Sequence, residues 1–330
     1  MTFGEKLRRL MAERGISQRR LAKLVPCNDG YLSRVAHDRK VPSQRMAERL
    51  DELLDAGGQL AALRAPSPWG ALNGAVNLDD AERVTQAAER PARLDTATLD
   101  ALETVLSGQR RLEDAIGAAA LLRPVTGQLD AITGMLGEAR GPLARRLGRI
   151  VAEWTVYAGW LNAALRRDGR ALELLARAEE LADEFEDGTI AAIATSFRGY
   201  VARQQGRPRA VVRASMAAMA TPGGHPVQAT FDRLQAAQGY ATLGEAERAR
   251  RLLDEAASRA ADEVEPPPPV YWYSRPFFDL NIGVVLLGIG EHSDAAALLA
   301  EGLDGIPADQ AGAEWLGEYR AALEEARDRA

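Results

Sequence analysis

The chain has 330 residues, a net charge of −6, few aromatics (5%) and a single cysteine, Cys27. A lone cysteine excludes an intramolecular disulfide framework. No apolar N-terminal run and no stretch of about 20 apolar residues is present, so neither a signal peptide nor a membrane span is expected, and the expected setting is the cytoplasm. The charge is unevenly shared. Residues 1–64 carry 13 Lys and Arg against 8 Asp and Glu, a net of +5, and the remainder carries 28 against 39, a net of −11. A basic head on an acidic body suits a head that meets phosphates and a body that does not.

In chain order, Phe3, Leu7, Leu10 and Met11 share one face of a helix that Gly15 ends. Residues 17–40 read as a helix-turn-helix. Ser17 is the N-cap of a first arm carrying Leu21, Ala22, Leu24 and Val25. A turn follows at Val25-Pro26-Cys27, and the second arm opens at Asn28 with Leu32 and Val35 facing inward. Ala22 is small enough for the two arms to cross closely. Ser43 caps a fourth helix with Met46, Leu50 and Leu53, which Gly57-Gly58 stops, and a short fifth helix is predicted near 59–64. Residues 65–78, with Pro66, Pro68, Gly70 and Gly74, form a linker.

Beyond residue 79 every periodic segment is helical. Leu99, Leu102, Val105 and Leu106 open a long helix, and breaks are predicted at 121–124 and at Gly141-Pro142. A repeat follows. Gly159 precedes Ala171, Leu175 and Ala178; Gly199 precedes Val211 and Ala218; Ala237 precedes Ala249, Leu253 and Ala256; Gly283 precedes Ala295 and Leu299. In every copy the first two residues are twelve apart. Small residues at these places let antiparallel helices approach while Leu fills the seam. Residues 265–275, with four prolines and Tyr271-Trp272-Tyr273, read as a stiff extended stretch. It is either a lid over the repeats or a plain connector.

Residues 3–63 resemble the XRE/Cro/C1-type helix-turn-helix domain of repressors through Ser17-Gln18, Leu21-Ala22, residues 31–35 and Pro42-Ser43. Pro26 stands where that family usually has Gly, and Ala36-His37-Asp38 replaces its Glu-Arg-Gly-like ending. The rest resembles the tetratricopeptide-like sensor half of actinobacterial regulators of that family, through residues 111–114, Gly159-Trp160-Leu161 and the repeat positions. The resemblance implies an all-α fold: a five-helix, lambda-repressor-like head over 1–64, the linker 65–78, and a tetratricopeptide-like α-solenoid over 79–330. It implies a dimer that binds double-stranded operator DNA, with a peptide or small-molecule effector sensed by the body. The alternative is an interaction adaptor that uses the repeats without specific DNA binding.

On this reading Asn28, Asp29, Gly30, Ser33, Arg34 and His37 face base edges. Gln18, Arg19, Arg39, Lys40 and Ser43 flank the motif as phosphate contacts. A concave groove lined by the first helix of each hairpin would include Glu153, Trp160, Ser196, Tyr200, Arg203, Phe231, Gln238 and Phe277. The alternative for Trp160, Phe231 and Phe277 is core between hairpins. Cys27 is either an oxidant sensor or, as this motif usually has there, a small buried apolar residue. The three histidines are far apart in sequence and there is no second cysteine, so no metal or cofactor is expected. No nucleophile sits in a catalytic motif, so no enzyme is expected.

Overall fold

The computed structural model describes residues 2–25, 27, 29–39, 42, 44–63, 84, 87, 94–260 and 265–330. It is helical, with no strand among the described residues. The chain divides into two compact units, Met1–Ala71 and Leu72–Ala330. The predicted linker 65–78, with Trp69, lies outside the described residues, as do Pro26, Asn28, Lys40 and Ser43.

The head contains α1 (Phe3–Glu13), α2 (Gln18–Leu24), α3 (Asp29–Ala36) and α4 (Gln44–Leu53). Its fifth element is a single 3-10 turn at Ala61–Leu63. Thr2 and Glu5 form a reciprocal capping box on α1. Gly15 ends that helix in the left-handed region, and Ser17 caps α2 through the Arg20 amide at 3.3 Å. Phe3, Leu7, Leu21, Ala22, Leu32, Val35 and Leu50 meet in one core, against which Cys27 and Tyr31 pack. The buried Asp51 accepts from the amides of Gly58, Leu60 and Ala61 at 2.6, 2.6 and 2.8 Å. Although burial works to raise its pKa, these three donors and nearby Lys6 hold the carboxyl below its ordinary value. One carboxylate therefore satisfies the backbone where α4 gives way to the 3-10 turn.

The body opens with α5 (Thr96–Ile116) and α6 (Ala118–Glu138). The predicted break at 121–124 is corrected. The chain turns at Gly117, whose φ is 79°, and α6 runs on through Pro124. Proline takes the intrahelical donor from the carbonyl four residues earlier, that of Ala120. Ala120 is exposed, on the solvent side of the helix.

Four hairpins follow: α7 (Pro142–Ala164) with α8 (Asp168–Glu184), α9 (Gly188–Gln204) with α10 (Pro208–Ala220), α11 (Pro226–Thr242) with α12 (Ala246–Ala260), and α13 (Arg275–Gly288) with α14 (His292–Asp304). A last helix, α15 (Gly317–Arg329), packs on α13 and α14. The first helices stack in order, α7 on α9 on α11 on α13. In the first and last hairpins the repeat positions are in contact. A Cβ on Gly159 would lie 2.9 Å from Leu175, and one on Gly283 would lie 2.6 Å from Leu299. Every hairpin turns the same way. Seven residues after the small residue of its first helix comes a left-handed residue, namely Arg166, Gly206, Gly244 and Gly290. In each, the amide one residue further on reaches back five residues along the helix. The uneven spacing of the copies comes from the length of the second helices and of the links between hairpins, the longest link being the segment before α13.

Candidate functional sites

The second arm of the motif presents two faces. Leu32, Val35 and Ala36 are buried, while Gly30, Arg34 and His37 are exposed and Ser33 is half-buried. Gly30, Ser33, Arg34 and His37 fall at i, i+3, i+4 and i+7, so they form one outward stripe on α3. Asp29 opens the helix. Among the predicted phosphate contacts, Gln18 begins α2 and is half-buried, and Arg19 and Arg39 are exposed. Among the described residues no carboxylate pairs with Arg19, Arg34 or Arg39.

The exit of α3 lacks the glycine that the resemblance led us to expect and solves the geometry differently. Asp38 takes the left-handed conformation at φ 55°. The Arg39 amide bonds the Arg34 carbonyl at 2.8 Å, and the Asp38 amide bonds Val35 at 3.1 Å, which completes a glycine-type helix stop without glycine. The Asp38 side chain then reaches α1, accepting from the Thr2 hydroxyl at 2.6 Å and the Gly4 amide at 2.7 Å. Desolvation opposes its ionisation, but Thr2, Gly4 and the charges of Arg8 and His37 win and keep its pKa below the ordinary value. Gly4 is required here, since a Cβ would lie 2.6 Å from the Ala36 carbonyl. Helix α3 is thus bolted to the start of α1.

In the body, a cavity with about 740 Å³ of empty space, counting the part open to solvent, lies along the first helices of the hairpins. Trp160 comes from α7, Phe197, Tyr200 and Arg203 from α9, Phe231 from α11 and Phe277 from α13. Of the eight predicted groove residues, Trp160, Tyr200, Arg203, Phe231 and Phe277 line it. The other three link helices behind it. Glu153 pairs with buried Arg110 at 2.6 Å. Ser196 donates to Asp232 at 2.6 Å, and Gln238 donates to Asn281 at 3.1 Å.

Several lining groups come from elements not predicted to take part. Glu113 and Asp114 project from α5, Trp315 from the 3-10 turn Glu314–Leu316, and Glu318 and Tyr319 from α15. The segment before α13 is neither a free lid nor a plain connector. Pro268–Val270 make a 3-10 turn, and Tyr271, Trp272 and Tyr273 fold inward to build one wall. Tyr273 stacks on Phe277 with centroids 5.0 Å apart, and Trp272 lies 6.3 Å from Trp160. Trp160 in turn stands 5.1 Å from both Phe197 and Tyr200. The chain has 6 Phe, 5 Trp and 7 Tyr; eleven of these eighteen line this one cavity. A core that only needed volume would not gather most of a sparse aromatic set around empty space.

The polar groups are few and placed. Trp160 donates its indole N–H to Glu113 at 2.7 Å. Tyr271 and Trp315 both donate to Asp114, Trp315 at 3.3 Å. Burial lifts Glu113 to about 7, and the Asp114 charge adds to the shift. Burial likewise raises Asp114. Arg203 pairs with Glu318 at 2.9 Å, while its buried Nε has no hydrogen-bond partner. Among the described residues no cluster of His, Cys, Asp or Glu could hold a metal ion. No helix among them is long and apolar enough to cross a membrane.

Residues 2–63 match a family model described as a helix-turn-helix domain, and the head has that fold. No curated protein sequence matches the chain. Among solved structures, the crystal structure of Bacillus thuringiensis PlcR in complex with the peptide PapR7 and DNA aligns over 98% of this chain and 98% of that one, at 11% identity and a TM-score of 0.42. A likeness that shallow does not bear on function.

Proposed function

We propose that the protein is a DNA-binding transcriptional regulator. Two copies pair, each head reads a half-site with α3, and a peptide or small molecule in the body's cavity biases the arrangement of the heads. The observation that carries this reading is the outward stripe of Gly30, Ser33, Arg34 and His37 opposite a fully buried face. Arg34 is suited to guanine O6 and N7, and Arg19 and Arg39 are suited to phosphates. The net +5 of the head against −11 for the body favours the same division of labour. A single head makes few contacts, so a two-fold operator is expected, with half-site centres ~34 Å apart or a multiple of that. An effector acts only through differential affinity for the DNA-competent arrangement.

Footprinting on the gene's own upstream region at two salt concentrations tests this reading. Arg34→Ala is expected to relax discrimination at one base position by about 1–3 kcal/mol. Arg39→Ala should weaken binding to all sequences alike and reduce the salt slope by about one. Absence of any salt-dependent footprint would sink the regulator reading.

A further inference from the structure

The cavity's two arginines are already matched: Arg110 pairs with Glu153 and Arg203 with Glu318. Glu113 and Asp114 are not. Among the described residues their hydrogen-bond donors are indoles and phenols, Trp160 and Tyr157 for Glu113 and Tyr271 and Trp315 for Asp114; Arg110 and Arg111 act on them only at longer range, and neither carboxylate makes an ion pair. Neighbouring hollow space of about 430 Å³ shares these groups, and there Glu314 adds a third carboxylate beside Trp160, Tyr200 and Trp315. One end of the cavity is therefore acidic with aromatic walls, and the rest is an aromatic trough. An anion entering that end meets carboxylates whose nearest donors are taken. A metal ion finds no suitable cluster. An organic cation finds countercharge and aromatic faces together, which is how such cations are held in water-poor sites.

We propose that the effector is an organic ammonium ion with an apolar, ring- or chain-bearing body, its charged head between Glu113, Asp114 and Glu314 and its body along Phe231 and Phe277. The inference rests on the reading of the body as a sensor, and it names the ligand class of that same cavity.

Calorimetry on the full chain without DNA tests it. The probes are matched amine, alcohol and carboxylate triads on phenylethyl, indolylethyl and octyl bodies. At least one amine is expected to bind about tenfold or more tighter than its alcohol, with the carboxylate weakest. Glu113→Gln with Asp114→Asn should abolish that preference, so that amine and alcohol bind alike. Glu314→Gln, at an exposed position, should weaken it in part, and it keeps the test intact if the double variant does not fold. Equal binding of amine and alcohol, tighter binding of any carboxylate, or no binding by any triad at millimolar concentration would overturn the proposal. So would tight binding of N-acetylated peptides that amines do not displace. Operator binding is measured separately on ligand-free protein, so this proposal and the regulator reading can fail independently.

Discussion

The head and the body use the same secondary structure to different ends. In the head, aliphatic side chains meet directly, and several helix ends are closed by a capping side chain: the Thr2–Glu5 box, Ser17, Asp38 and Asp51. Polar groups there are tied to backbone. In the body, small residues let hairpin helices close up, and the aromatics gather around hollow space. Polar groups there include carboxylates without ion partners, Glu113, Asp114 and Asp232 among them. A module that presents one fixed surface gains from local closure. A module that receives something gains from leaving charge and volume uncompensated, at a cost in its own stability.

The sharpest break in that comparison is Leu32→Ala. Leu32 is fully buried between the arms, and its truncation should cost the head about 3 kcal/mol. Operator binding should fail, while ligand binding by the body, read by calorimetry, persists. If both are lost together, the separation of roles is wrong.

Asp232 tests the uncompensated charge. It is fully buried and accepts only from Ser196 and Gln228, at 2.6 and 2.9 Å, and burial lifts it to about 7. An acid whose pKa is raised on folding holds its proton more tightly in the native state. Its contribution is thus fully present below about 4, declines as pH rises to about 7, and stays lost above that. Asp232→Asn removes this dependence. It also gives the Gln228 Oε1, which has no partner, a donor once that amide turns over. The variant should be more stable than the parent at pH 8, by on the order of 3 kcal/mol, with the gain vanishing near pH 4. Chemical denaturation at both pH values reads the difference, and equal stability at pH 8 would refute the account.

The smallest effect concerns the hairpin seams. Gly283→Ala should destabilise by about 1–3 kcal/mol through overpacking against Leu299. Gly169→Ala in α8, where nothing lies within 4 Å of the added carbon, should be neutral or stabilise by up to about 1 kcal/mol. Thermal melts of the pair measure how tightly the repeat residues are constrained.

What could be read from the sequence was what is local. Ser17, Ala22 and the Leu32–Val35 face mark the motif because capping and helical periodicity act within a few residues. The twelve-residue spacing from Gly159 to Ala171 marks a hairpin for the same reason. The exit at Asp38 escaped reading because aspartate seldom takes a left-handed stop, and the carboxylate that makes it worthwhile bonds residues 34 and 36 positions away. The left-handed residue seven positions after each small residue was a usable signal, obscured by Arg166 in the first copy. Pro124 read as a break because its cost was judged without knowing that Ala120 faces solvent. The cavity was half legible. The stacked first helices supply Trp160 and Phe231, but the acidic end joins Asp114 to Trp315, 201 residues apart, and no periodicity reports that.

The crowding of aromatic rings has a practical side. Three of the five tryptophans, Trp160, Trp272 and Trp315, line the cavity, and residues 1–63 contain none. Trp160 and Trp315 also donate to Glu113 and Asp114. The ultraviolet emission of the unlabelled protein is therefore an optical reporter weighted toward the chamber's contents.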